Sequence, residues 1–241
     1  MITSKQNEKI KQIRLLSNKK FRDSLNLFLV EGAKATLDAL ACNVEVDIIV
    51  GTEKGFGLLG GISNVKTMLV TEEVFSSITT EVSPQGIMAV CKKPSIMQDL
   101  SAKKALFLDG VSDPSNVGAI IRSAASFGFR NVYLSLSADA YSPKAVRASM
   151  GGIFRVNPIV VDKSSFLQNN KLPLIVADMY GEDVSSFEKL EEFCLVIGNE
   201  GNGVSEEVIK KSNKKISIPM QNDMESLNAA VSAGILMYLL K

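Results

Sequence analysis

The sequence predicts an α/β protein: a C-terminal α/β domain over residues 104–241, preceded by a smaller N-terminal α/β unit over residues 1–91. From about residue 104, short apolar runs alternate with helical patterns, and such alternation builds a layered domain on a mostly parallel sheet. The runs are apolar throughout rather than at every second position, as strands covered on both faces are. Residues 92–103 (KKPSIMQDLSAK) hold Pro94 and no apolar period, which marks a linker between the two parts.

In the first part, a basic helical segment precedes the strand FLVEG at 28–32. A helix over 33–41 and a strand over 46–51 follow. The run GTEKGFGLLGG (51–61) is glycine-rich and reads as a mobile loop rather than a phosphate cradle. The strand TMLVT leads into TEEVFSSIT, where Thr71 and Glu73 favour a helix start, and SPQGIMAVC reads as a turn plus a strand. In the second part, strands are expected at 104–109, 131–136, 156–161, 172–178, 193–198 and 216–220. Helices are expected at 117–127, 143–150, 205–211 and 225–240. Ser142 before Pro143 has the signature of an N-cap followed by proline at the first helical position. The last helix is apolar nearly all round, so it is buried within its own domain or against a partner, and we expect part of it in a homodimer interface.

Composition narrows the chemistry. The chain has 241 residues, 46% hydrophobic and 22% charged, with a formal net charge of +1. Charge is uneven, however: Lys5, Lys9, Lys11, Arg14, Lys19, Lys20 and Arg22 face Glu8 alone within residues 1–22. Such a stretch neutralises RNA phosphates, or is simply a solvated helix face. The three cysteines are far apart and sit in apolar stretches, as core thiols of a reducing compartment do. There is no histidine, which removes the commonest general base, Ser-His triads and most zinc sites, so no metal is expected. No stretch is long and apolar enough to span a membrane, and the expected location is the cytoplasm.

Three strand-loop-helix junctions carry the candidate chemistry. In LDGVSDPSNVGAIIRSAASFG (108–128) a strand ends at Asp109 and a helix is expected from about Asn116, which is either its cap or a group of the site. Arg122 lies near that helix start among Ile120, Ile121, Ala124 and Ala125, so it must reach solvent or bind an anion. In FCLVIGNEGNGVSEEV (193–208) three glycines let backbone approach a ligand. Their order is GxxGxG, not the GxGxxG of dinucleotide sites, and no Lys-Ser/Thr pair follows to make a Walker loop. Glu200 inside the loop would repel phosphate but suits a hydroxyl or an arginine. In ISIPMQNDMESLNAAVSAG (216–234) Ser226 and Asn228 head the last helix, as caps or as groups that position a ligand.

Taken together and in this order, the junctions resemble the three motifs of the SpoU/TrmH class of RNA 2′-O-methyltransferases in the SPOUT superfamily. The matching residues are Asn116-x-Gly118 with Ile121-Arg122-Ser123-Ala124, Ile197-Gly198-Asn199-Glu200-Gly201-x-Gly203, and Ile218-Pro219-Met220 with Ser226-Leu227-Asn228. Residues 7–32 and Ser83-Pro84-Gln85-Gly86 also look like the family's RNA-binding substrate domain. Ser115 and Ala229-Ala230 depart from the usual pattern without removing a side chain of proposed chemical role. The resemblance implies a SPOUT α/β domain with a deep trefoil knot, a homodimer, and S-adenosylmethionine held by Gly198, Asn199, Gly201, Gly203, Ile218, Met220 and Leu227. It implies a catalytic set of Arg122, Asn116, Glu200, Ser226 and Asn228, in which Arg122 activates the hydroxyl and the others orient it and the ribose. A guanidinium stays protonated, so clamping phosphate and stabilising the developing alkoxide rank above base catalysis for Arg122. RNA contacts are expected from Lys5, Lys9, Arg14, Lys19, Lys20 and Arg22. The substrate domain favours 23S rRNA over tRNA. The competing classes are a non-catalytic RNA-binding protein that retains the fold and a nucleotide-cofactor oxidoreductase built on the glycine loop.

Overall fold

The structure is a computed structural model and describes residues 1–61, 65–95, 98–188, 190–222, 224 and 226–241. The first half comprises α1 (Glu8–Leu15), α2 (Lys19–Leu25), β1 (Leu27–Glu31), α3 (Ala33–Ala41), β2 (Val46–Gly51), α4 (Glu53–Gly57), β3 (Thr67–Leu69), α5 (Glu72–Ser76) and β4 (Ile87–Lys92). Its four strands form one sheet in the order β1-β4-β2-β3. Side chains alternate across it: Phe28 and Val30 face one apolar cluster, and Leu29 faces a second with Ile10, Ile13 and Leu16 from the start of the chain.

The second half runs β5 (Lys104–Asp109), α6 (Pro114–Phe127), β6 (Asn131–Ser135), α7 (Pro143–Ala148), a single 3-10 turn (Gly152–Phe154), β7 (Asn157–Val160) and α8 (Lys163–Asn169). It continues through β8 (Leu174–Asp183), β9 (Phe193–Gly198), α9 (Glu206–Lys211), β10 (Lys214–Ser217) and α10 (Ala229–Leu240). The six strands lie in the order β10-β8-β9-β5-β6-β7, all pairs parallel. Both faces are covered, which explains the continuous apolar runs: Leu106 and Leu108 join the cluster under α6 and α10, while Ala105 and Phe107 join one with Phe166 and Val208.

The cluster under α6 also contains Phe28, Ile49 and Ile87, so the two sheets share apolar packing. The rings of Phe28 and Tyr141 pack at 5.0 Å between centroids across this junction. Beside them Arg22, 2% exposed, pairs with Asp139 at 2.7 Å and donates to the carbonyls of Leu16 and Ser17 at 2.8 Å each. Arg22 was expected to contact RNA; in the folded chain every direction of its guanidinium is turned inward, and it leaves that set.

Other differences have local causes. The glycine-rich run 51–61 is not a loose loop, because α4 forms within it under a Thr52 cap whose hydroxyl oxygen accepts from Gly55 N–H at 3.1 Å. Gly55 is there for contact, since a Cβ would stand 1.9 Å from the Gly86 carbonyl oxygen. The helix expected from about Asn116 begins at Pro114 with Asp113 as its cap, placing Asn116 inside the first turn. The start expected for the last helix, at 225, lies outside the described residues, as do positions 96–97 of the expected linker; the helix itself is described from Ala229. Ser142 caps α7 as expected, accepting from Ala145 N–H. Among the described residues no helix is long and apolar enough to cross a membrane.

Candidate active site

Neighbouring parallel strands β5 and β9 end together, with Asp109 opposite Gly198. Their following loops therefore lie side by side at the C-terminal end of the sheet, where open parallel sheets bind ligands. The loop after β9 is closed by Asn199 and Gly203, which exchange two backbone hydrogen bonds of 2.9 Å. The Asn199 carbonyl oxygen accepts from the N–H groups of Gly201 and Asn202, and its amide donates to the Gly110 carbonyl at 2.8 Å. Both its side chain and its backbone are thus used to shape the loop. At Gly198 a Cβ would lie 2.3 Å from backbone of Gly203 and Val204, and Gly203 alone of the three glycines has a positive φ, 67°.

Below the loop, Asp109 pairs with Lys163 at 2.6 Å and accepts from Ser205 N–H at 2.8 Å, while Lys163 donates to the Ser205 hydroxyl. Burial works to raise the Asp109 carboxyl, but the bonds from Lys163 and Ser205 outweigh it and hold the group below the usual range.

Glu200 reaches back across 84 to 88 residues of sequence. Its carboxylate accepts from Ser112 N–H and hydroxyl at 3.0 and 2.8 Å, from Asp113 N–H at 3.1 Å and from the Asn116 amide at 2.9 Å. Desolvation raises its pKa, yet these donors, Asn116 first, more than offset that and bring it down to about 2. Asn116 is 8% exposed, and its carbonyl oxygen accepts from the Asn228 amide at 3.0 Å. Asn228 in turn caps α10, accepting from the N–H groups of Ala230 and Val231. One string of polar contacts, Glu200–Asn116–Asn228, therefore ties all three junctions together.

Beside this string lies a cavity of about 670 Å³ lined by Gly198–Gly203, Ser226–Ala229 and Ala177–Tyr180. A second, of about 300 Å³, shares Ser226 and Leu227 and is lined by Ile216–Met220 and Met224. Every residue expected at the cofactor lines one cavity or the other. Residues 177–180 reach the wall because the β8–β10 pairing jumps from Val176 to Glu182, releasing them from the ladder. The apolar run of that strand stops at 178, so this wall is not legible in it; Gly181, where a Cβ would meet Ile216 backbone at 2.5 Å, is its one sequence signal. Nor does the sequence mark Ser112, Asp113, Asp109 and Lys163 as site residues. The first two act partly through backbone N–H groups, which residue type does not advertise.

Arg122 stands apart. It is exposed, lines neither cavity, and its side chain has no hydrogen bond or ion pair among the described residues. The expectation that Asn116, Glu200, Ser226 and Asn228 orient it is not met within one chain. The basic N-terminal stretch is also partly engaged: Lys5 pairs with Glu73 and Lys19 with Asp23, while Arg14 keeps its charge but donates to the Ser77 carbonyl and hydroxyl. Lys9 and Lys20 are exposed and have no ion pair among the described residues.

A glycine loop, a buried asparagine and a capping asparagine thus converge at the C-terminal end of a doubly covered parallel sheet. The chain belongs to the SpoU rRNA methylase family, whose model matches residues 103–238, and residues 7–89 match an MRM3-like substrate binding domain. It is similar to the 23S rRNA (guanosine(2553)-2′-O)-methyltransferase of Bacillus subtilis, 33% identical over 100% of this chain and 98% of that one. Among solved structures, a TrmH-family protein from Porphyromonas gingivalis matches with a TM-score of 0.86 at 33% identity, over 100% of this chain and 98% of that chain. An AdoMet-bound rRNA methyltransferase from Sinorhizobium meliloti matches with a TM-score of 0.87 at 27% identity, over 99% and 96%.

Proposed function

We propose that this protein methylates a ribose 2′-hydroxyl of 23S rRNA with S-adenosylmethionine, as a homodimer in the cytoplasm. The observation that carries the reading is the Glu200–Asn116–Asn228 string, whose two ends, Glu200 and Asn228, line the larger cavity. The cavity fits the cofactor: about 670 Å³ falls in the range of small-molecule sites, and Ile197, Ile209 and Leu227 supply apolar walls for an adenine. Main-chain groups of Gly198–Gly203 and Leu227 would hold the adenosine and Ile218 and Met220 the adjoining part.

The cofactor supplies an already activated methyl group, so the protein's work is alignment and charge management. Glu200, fixed by four donors and ionised at neutral pH, holds Asn116 in one orientation. Asn116 and Asn228, with Ser226, present hydrogen-bonding groups to the ribose. Arg122 clamps an RNA phosphate and stabilises the alkoxide as the 2′-oxygen gives up its proton to solvent; a guanidinium does not serve as the base. A second copy of the chain is the partner this arrangement asks for. Support comes from Arg122, which lies outside its own chain's string, and from α10, whose Val231 and Tyr238 remain exposed on an otherwise apolar helix. The rRNA target is supported by the substrate-domain match and by the Bacillus subtilis relative.

The test is methyl transfer from labelled cofactor to RNA of cells lacking this protein, followed by mapping of 2′-O-methyl sites. Label in large-subunit rRNA is expected. Label confined to tRNA overturns the target, and cofactor binding without transfer to any RNA overturns the enzyme.

A further inference from the structure

Leu136, directly after β6, is held in the left-handed region with φ 51° and is 86% exposed. That is doubly unfavourable, since a bulky L residue is strained there and its apolar surface faces water. Glycine or asparagine would satisfy the same backbone with little strain. Of the other non-glycine residues with positive φ, Asn26, Asn43 and Asn222 are asparagines, and Met150 follows α7, where chains commonly leave a helix in this conformation. Leu136 has neither explanation.

Its surroundings account for the backbone but not for the side chain. Gly110 N–H donates to the Ser135 carbonyl at 2.9 Å, and Ala138 N–H donates to the Val111 carbonyl at 2.8 Å. The Ser137 hydroxyl accepts from Val111 N–H and donates to the Leu108 carbonyl, 3.0 Å each. The turn at 136 is thereby stitched to loop 110–113, whose Ser112 and Asp113 hold Glu200. The cavities lie on the β8, β9 and β10 side of Glu200, whereas Leu136 rises from β6 on the other side of β5. It therefore borders the reactive loops on the side away from the cavities.

We infer that the Leu136 side chain packs against the base of the nucleotide being methylated and holds it out of the RNA stack, with its ribose over Asn116 and Glu200. Apolar side chains separate stacked bases in this manner, and single-stranded RNA bases are read by splaying them out. The inference rests on the rRNA-methyltransferase reading above.

Leu136→Gly and Leu136→Met separate this role from a structural one. For Leu136→Gly, relief of strain should raise Tm, cofactor affinity should stay within about twofold, and kcat/KM for RNA should fall about tenfold or more, the scale of one lost apolar contact. Leu136→Met should keep most of the RNA activity. Leu136→Gly methylating RNA at the wild-type rate, or melting below the wild type, overturns the inference. So does loss of activity that accompanies dissociation of a dimer, which would assign Leu136 to a protein contact. If the wild type labels no RNA, the underlying reading fails and Leu136's role with it.

Discussion

The Asn228 amide donates to the Asn116 carbonyl oxygen at 3.0 Å, across 112 residues of sequence, while the other end of the Asn116 side chain donates to Glu200. Both ends of a buried amide are thus committed, and its orientation is not free to flip. The head of α10, the first turn of α6 and the glycine loop are set by one another.

Replacing Glu200 by Gln turns one oxygen into a donor facing the N–H of Ser112 or Asp113. Methyl transfer should fall about tenfold or more, since hydrogen bonds to a charged group contribute roughly 1.5–3 kcal/mol. Stability should respond to pH as well. The carboxyl titrates near 2 rather than 4.5, so its stabilisation is complete above about pH 4.5 and drains away as pH falls toward 2. The Tm gap between wild type and Glu200→Gln should shrink over that window; a gap unchanged from pH 7 to 3 contradicts the assignment.

Arg122→Ala should abolish methyl transfer while leaving cofactor affinity nearly intact, because the side chain lines neither cavity. Calorimetric titration with S-adenosylmethionine alongside single-turnover kinetics checks both halves. Near-normal turnover removes Arg122 from the mechanism.

Gly198→Ala places a methyl group 2.3 Å from the backbone of Gly203 and Val204, atoms that cannot rotate away. The loop must open, at a cost of about 1–3 kcal/mol or more, and cofactor affinity should drop correspondingly. Unchanged affinity would show that the loop does not hold the cofactor.

Arg22→Met strands the Asp139 carboxylate and two carbonyls in a buried place. Breaking such a pair typically costs about 3–5 kcal/mol, read as a lower denaturant midpoint. Adding Asp139→Asn should recover part of the loss. A single substitution that melts like the wild type would mean the pair does not join the two sheets.

Much of this was legible in the sequence. The continuous apolar runs located all six strands of the larger sheet, since full burial leaves no polar face to confuse the pattern. The boundaries of α3 and β2 were read without error. Asn116, Glu200 and Asn228 were each singled out, and they are in contact. What escaped has a common cause, dependence on distant partners. Arg22 resembled its basic neighbours because Asp139 is 117 residues away, and the glycines of α4 resembled a loop because Gly86 crosses them from β4's approach. The ladder break that brings 177–180 to the cavity is likewise a property of the β8–β10 pairing rather than of β8's residues.

The placement of β9 between β8 and β5 has a kinetic consequence. β5 is synthesised first, but its loop at 110–113 has no carboxylate to bind until a strand 89 residues later has been laid beside it, with Lys104 opposite Phe193. Pairing over such separations pays loop-closure entropy before it is rewarded. Competence for catalysis should therefore arrive late in folding, after the helical N-terminal segments and β5–β6 have formed, so that partly folded chains do not carry a working site.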